Sequence, residues 1–143
     1  MNDIETRTDI DLLMRMFYQR ALEDPVIGHI FDIAGLDLEK HIPIIGDFWE
    51  TLLFTTGSYA KHGRNPLAIH RELDLKVRLE PQHFQRWLEI FTRSVDEEFA
   101  GERADFIKSR ARAIAERMQQ YIRQGAEPPL TPVKIGEEAP AHR

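Results

Sequence analysis

Apolar residues return every third or fourth position along most of this chain, and that spacing belongs to helices with one buried face. Ile10, Leu13, Met14, Phe17, Tyr18 and Ala21 share the face of a first helix. Asp24-Pro25 ends it, because a residue before proline is held out of the helical region. A short turn is expected around Val26 to Ile33. Ile45, Phe48, Trp49, Leu52 and Leu53 mark a second long helix, closed near Gly57. Pro81 opens a third, with Phe84, Trp87, Leu88, Phe91, Val95 and Phe99 on its face. A fourth runs from about Arg103 with Phe106, Ile107, Ala111, Ile114, Ala115, Met118, Tyr121 and Ile122. No segment alternates with the period of a strand. The expected fold is all-α: four main helices, with a long irregular stretch, Gly57 to Glu80, before the third.

At 143 residues the chain can build one real core. From Gly125 the text "GAEPPLTPVKIGEEAPAHR" is rich in proline and charge and has no period. The expected division is a folded domain over residues 1–124 and a disordered tail over 125–143. There is no cysteine, which excludes disulfides, thiolate metal sites and covalent haem attachment through Cys-x-x-Cys-His. The polar, acidic start "MNDIETRTDI" is unlike a signal peptide, and no apolar run reaches membrane-spanning length, so a cytoplasmic protein is expected. With a net charge of −5 and no basic footprint, nucleic acid is not an expected partner. The acidic surface leans towards a monomer or weak dimer.

Within the irregular stretch, "NPLAIH" looks like a complete helix of barely one turn: Asn65 as cap, Pro66 first, His70 last. One turn cannot hold itself together, so something outside it must fix it. Three more polar residues sit on apolar faces. Tyr18 adjoins Phe17. His41 precedes Ile45, Phe48 and Trp49 on the core face of the second helix, at its mouth if Pro43 lies in the first turn. Trp87 stands mid-stripe in the third helix, where a buried indole N–H needs an acceptor. Each alone reads as an ordinary core residue with one partner. Together, among Phe17, Phe31, Phe48, Trp49, Phe84 and Phe91, they ask for more hydrogen-bond partners than a dry core supplies.

No His-Glu-x-x-His pair suits zinc, and the single Glu-x-x-His, Glu80 to His83, is interrupted by Pro81. Phosphate-cradling glycine loops and Gly-x-Ser-x-Gly elbows are absent. The group that remains is flat and apolar with one metal: haem, needing one histidine ligand, aromatic and aliphatic walls, and a few polar groups over the open face. A histidine on a short helix meets that need, with Leu67 packed on the porphyrin. Composition and spacing leave open whether His41 or His70 is the ligand.

"FYQRALEDPVIGHIF", "KHIPIIGDFWETLL", "NPLAIHRELDL" and "FQRWLEIF" occur in order between residues 17 and 91, within a resemblance that runs from about residue 8 to 122. Together they resemble the group III truncated haemoglobins, shortened bacterial globins. The resemblance implies a globin-like, two-over-two helical sandwich around haem b. It implies that His70 is the proximal ligand of the haem iron and that Tyr18, His41 and Trp87 form the distal site. It also implies that Phe31, Ile45, Phe48 and Trp49 wall the haem, to which Leu67, Trp87 and Phe91 are added from their helix faces. The segment "RELDLKVRLEPQ" after His70 carries Arg71, Glu72, Lys76 and Arg78, none of which is assigned to the propionates.

The expected function is binding of dioxygen, and of nitric oxide or carbon monoxide, at a His-ligated haem iron. The Tyr18 hydroxyl and the Trp87 indole are the expected donors to the ligand, with His41 as a gate. Several donors favour oxygen or nitric oxide chemistry, such as nitric oxide dioxygenase or peroxidase-like activity served by a reductase, over bulk transport. Two alternatives stand beside this: a haem-based gas sensor and a haem-free helical interaction module.

Overall fold

The computed structural model describes residues 1–125, so the expected disordered tail lies outside the described residues apart from Gly125, which ends the last helix. Helices run over Arg7–Glu23 (α1), Gly28–Ala34 (α2), Leu38–Phe54 (α3), Pro66–Lys76 (α4), Pro81–Glu98 (α5) and Glu102–Gly125 (α6), with a 3-10 turn at Ser58–His62. No strand occurs among the described residues. α1 packs on α3 and on α5, α5 on α6, and α4 lies against α6. The α1/α3 pair and the α5/α6 pair make the two layers of the sandwich.

The stripes foreseen from spacing form the core. Ile10, Leu13, Met14 and Phe17 of α1 meet Phe91 and Val95 of α5 and Ile107 of α6, all essentially inaccessible. Thr6 and Asp9 close α1 with a reciprocal capping box. Asp3 caps α6 from across the molecule: its carboxylate accepts from the Arg103 and Ala104 amides at 2.9 and 2.8 Å. Asp24, just past α1, accepts from the Val26 and Ile27 amides and from Arg86 on α5, which pins the α1–α2 turn to the second layer.

Five expectations need correction. The turn near Val26 to Ile33 is present only over residues 25–27, and the rest of that stretch is a helix, α2. α3 closes at Thr55, not Gly57: Thr55 takes the left-handed conformation, and its hydroxyl donates to the Phe54 carbonyl at 2.6 Å. α3 also begins earlier than its stripe suggests, capped by Asp37, so Pro43 lies inside the helix and His41 in its first turns. Both Pro43 and Glu39, whose carbonyl the missing amide would have met, face solvent, where water can satisfy that oxygen. Lastly, "NPLAIH" is the start of an eleven-residue helix and not one turn. The foreseen cap is present, the Asn65 side chain accepting from the Ala68 amide at 3.2 Å, and Pro66 stands first. On α6, Phe106 is not on the core face; it is exposed beside the buried Ile107.

Candidate functional site

α4 aims His70 into the sandwich. The ring's Nδ1 is 2.7 Å from the Pro66 carbonyl one turn back, an acceptor that can only receive. The neutral ring therefore carries its proton on Nδ1 and presents a lone pair on Nε2. Among the described residues nothing hydrogen-bonds that Nε2. Burial pushes the imidazole pKa down, which keeps the ring neutral. Yet the residue retains some accessible surface. Desolvation together with residual exposure is the mark of a group lining an internal cleft.

Tyr18, 6% exposed on α1, and His41 on α3 meet across the layer: the hydroxyl is 2.7 Å from His41 Nε2, with the rings edge to face. Desolvation lowers the His41 pKa to about 4 and raises that of Tyr18, so at neutral pH both are uncharged. The direction of their hydrogen bond follows the His41 tautomer. With the imidazole proton on Nδ1 the hydroxyl donates to Nε2. With it on Nε2 the imidazole donates and the phenol proton is free for another acceptor.

Trp87 on α5 stacks on Phe91, centroids 5.4 Å apart at 14°, and meets Phe17 edge-on at 5.8 Å. It is part-buried, and no acceptor among the described residues takes its indole N–H. Phe31, Ile45 and Phe48 also keep accessible surface while packing on the core. Trp49, Leu67 and Phe91 are buried, with Trp49 stacked on Phe91 at 5.4 Å.

Sequence reading passed over Arg64. Its guanidinium charge acts on Tyr18, His41, Tyr59 and His70. No pattern in the sequence marks it, since a cation just before a helix cap is ordinary surface chemistry. A second missed feature is Asp47 of α3. Its buried carboxylate receives Arg7 Nη1 at 2.6 Å and His62 Nε2 at 2.7 Å, so His62 is occupied away from the pocket. Gly46 lets Arg7 lie across α3, because a Cβ there would meet the guanidinium at 2.7 Å.

The helices carry one free imidazole nitrogen, at His70, a phenol–imidazole pair, Tyr18 with His41, and an indole N–H, on Trp87, with no acceptor among the described residues. The fold can be matched directly. A crystal structure of the group III truncated hemoglobin from Campylobacter jejuni superposes with a TM-score of 0.73 at 28% identity, covering 85% of this chain and 95% of that one. This chain has the truncated-haemoglobin fold. In sequence, a group 3 truncated hemoglobin of Campylobacter jejuni is 29% identical over 114 residues, 77% of this chain and 85% of its own length. No family model matches the chain. The resemblance carried by the four sequence segments is thus borne out by both comparisons. The chemistry of these residues fits a haem: His70 would offer one neutral nitrogen donor to the iron, and part-exposed aromatic and aliphatic side chains would offer apolar surface to the ring.

Proposed function

We propose that residues 1–124 form a haem b-binding domain in which His70 is the proximal iron ligand and Tyr18, His41 and Trp87 attend a diatomic ligand. The supporting observation is the His70 ring, its Nδ1 held by the Pro66 carbonyl at 2.7 Å and its Nε2 free. That hydrogen bond orients the ring and raises its basicity as a ligand. Arg64, whose charge reaches the same region, is the cation placed to meet the propionates.

A bound haem would supply the iron at which a small diatomic gas is taken up, and the protein's own donors would act on the polarised ligand. Tyr18 and Trp87 are those donors. Each charge-assisted hydrogen bond contributes roughly 1.5–3 kcal/mol and slows release by about one to two powers of ten. Carbon monoxide carries less charge and gains less, so the donors discriminate between the gases.

His41 sets whether the Tyr18 proton points inward or is held by the imidazole. Strong retention in a polar pocket suits chemistry on the ligand, nitric oxide oxidation or peroxide reduction with a reductase as partner, over bulk transport. No helix among the described residues is long and apolar enough to cross a membrane, in keeping with the cytoplasmic setting we assign.

The decisive experiment is the absorption spectrum of the purified chain after haem addition. A Soret band that shifts on carbon monoxide binding is expected. A featureless spectrum would end the haem reading and return the chain to the class of helical interaction modules.

A further inference from the structure

An unbroken series of ring contacts leads from the pocket to the surface. Trp87 stacks on Phe91 (5.4 Å, 14°), Phe91 on Trp49 (5.4 Å, 28°), Trp49 meets Phe48 edge-on (5.1 Å), and Phe48 meets Tyr59 (5.2 Å). Trp87, Trp49 and Tyr59 are the readily oxidised members, and single phenyl rings separate them. Trp87 faces the pocket, Trp49 is buried at 2% exposure, and Tyr59 in the 3-10 turn is half-buried.

The outer end of this series is singular. The chain has three tyrosines and no cysteine. Tyr18 and Tyr121 are buried, at 6% and 9% exposure, which leaves Tyr59 as the phenol that solvent and other molecules can reach. Burial raises its pKa, and the positive charge of Arg64 works against that rise.

We propose that Tyr59 is a surface site of one-electron oxidation, through which oxidising equivalents delivered by hydrogen peroxide in the pocket are passed out to phenolic reductants. The proposal rests on the haem-binding reading above. Hydrogen peroxide takes up two electrons and two protons, its O–O bond breaks and two waters form. Each Tyr59 phenol gives one electron, relayed inward through Trp49 and Trp87, and one proton, released to solvent, and becomes a neutral phenoxyl. A small phenol at the surface donates a hydrogen atom to the phenoxyl, restores Tyr59 and is itself oxidised by one electron. Without such a donor, two Tyr59 phenoxyls from two chains couple through a ring carbon–carbon bond. The overall change is then one peroxide and two tyrosines to two waters and one dityrosine.

The test uses haem-loaded full-length chain whose Soret band is first recorded, mixed with an equimolar amount of hydrogen peroxide and no other reductant. Frozen samples are read by electron paramagnetic resonance, and parallel samples by denaturing gel and peptide mass spectrometry. A tyrosyl signal and a covalent dimer linked through the Tyr59 peptide are expected. Tyr59→Phe should lose both while keeping the Soret band, and added phenol should suppress the dimer in the parent chain. Trp49→Phe should lower the tyrosyl yield severalfold.

An intact Soret band with peroxide consumed but no tyrosyl signal would overturn the proposal and spare the haem reading. So would an undiminished dimer in Tyr59→Phe. Absence of the Soret band at the outset would sink the haem reading and this proposal with it.

Discussion

The Tyr18 hydroxyl and His41 Nε2 lie 2.7 Å apart, and each is the other's only hydrogen-bond partner among the described residues. Tyr18 belongs to α1 and His41 to α3, so the bond couples two helices of one layer and at the same time commits the phenol proton. Burial keeps both groups uncharged. A ligand in the pocket must therefore compete with an imidazole lone pair for the Tyr18 proton, or meet the tautomer that releases it.

This competition gives opposite signs to two substitutions. In haem-loaded protein, Tyr18→Phe removes a donor and should speed dioxygen dissociation by about 10- to 100-fold, the equivalent of one charge-assisted bond. His41→Leu removes the competitor and leaves the hydroxyl to the ligand, so dissociation should slow. Stopped-flow displacement of dioxygen by carbon monoxide reads both. Faster release in His41→Leu would show that His41, and not Tyr18, is the principal donor.

The same burial fixes a pH dependence. The His41 pKa falls to about 4 from an ordinary value near 6.5. Between those values the unfolded chain binds a proton that the folded chain refuses, so stability rises with pH. Full stability is expected above about pH 6.5. Descending towards pH 4, about 1–3 kcal/mol should be lost, allowing for the part-exposure of the ring. Urea midpoints at pH 7 and pH 5 measure it, and His41→Leu should flatten the slope in that window. Asp24 and Asp47 act lower. Both carboxylates are desolvated yet held below the usual range by Arg86 and the adjacent amides, and by His62 and Arg7. Their contribution is complete above the unfolded pKa near 3.9 and disappears as pH falls through the folded values.

Long stripes were legible because burial and period coincide in them, as in Ile10 to Ala21 or Phe91 to Phe99. α4 was read too short for a physical reason. Its inward positions are Leu67, His70, Leu73 and Val77, so the histidine interrupts the apolar stripe by which a helix is recognised. Pro43 misled in the other direction, since the rule placing proline in the first turn assumes that the lost carbonyl partner is buried. The site residues could be picked out as polar groups on apolar faces, but not their pairing. Nothing in the spacing tells that Tyr18 meets His41, that His62 turns to Asp47, or that the Arg64 charge acts on Tyr18, His41 and His70 at once. Those relations come from helices brought together in three dimensions. Trp49 and Phe91 are buried and stacked on each other, and they continue the ring series.

Asp47 should carry more stability than its place beside a surface loop suggests. Its side chain is 9% accessible, and one carboxylate joins α3 to Arg7 at the start of α1 and to His62 in the 3-10 turn that leads into α4. Asp47→Asn keeps the shape but removes the charge and one acceptor, leaving Arg7 and His62 under-partnered. A loss of about 1–3 kcal/mol in urea unfolding at pH 7 is expected. The exposed Arg15–Glu39 pair, at 3.5 Å with both side chains more than half accessible, is the contrast: Arg15→Ala should change stability by less than about 1 kcal/mol. Equal effects would show that the Asp47 cluster is not a clamp.

His70 offers the sharpest substitution. His70→Ala should purify with little haem, because His41 is bonded to Tyr18 and His62 is engaged by Asp47. The truncation leaves a space of imidazole size against the Pro66 carbonyl, so free imidazole added with haem should restore a Soret band. The restored complex will not match the parent, since a diffusible ring gains no fixed tautomer from the 2.7 Å bond to Pro66 and gives up orientational freedom to bind. A lower haem affinity and a weaker iron–nitrogen stretch in resonance Raman are expected. Undiminished haem in His70→Ala, with an unchanged stretch, would transfer the ligand role to His41 and reverse which face of the pocket receives the gas.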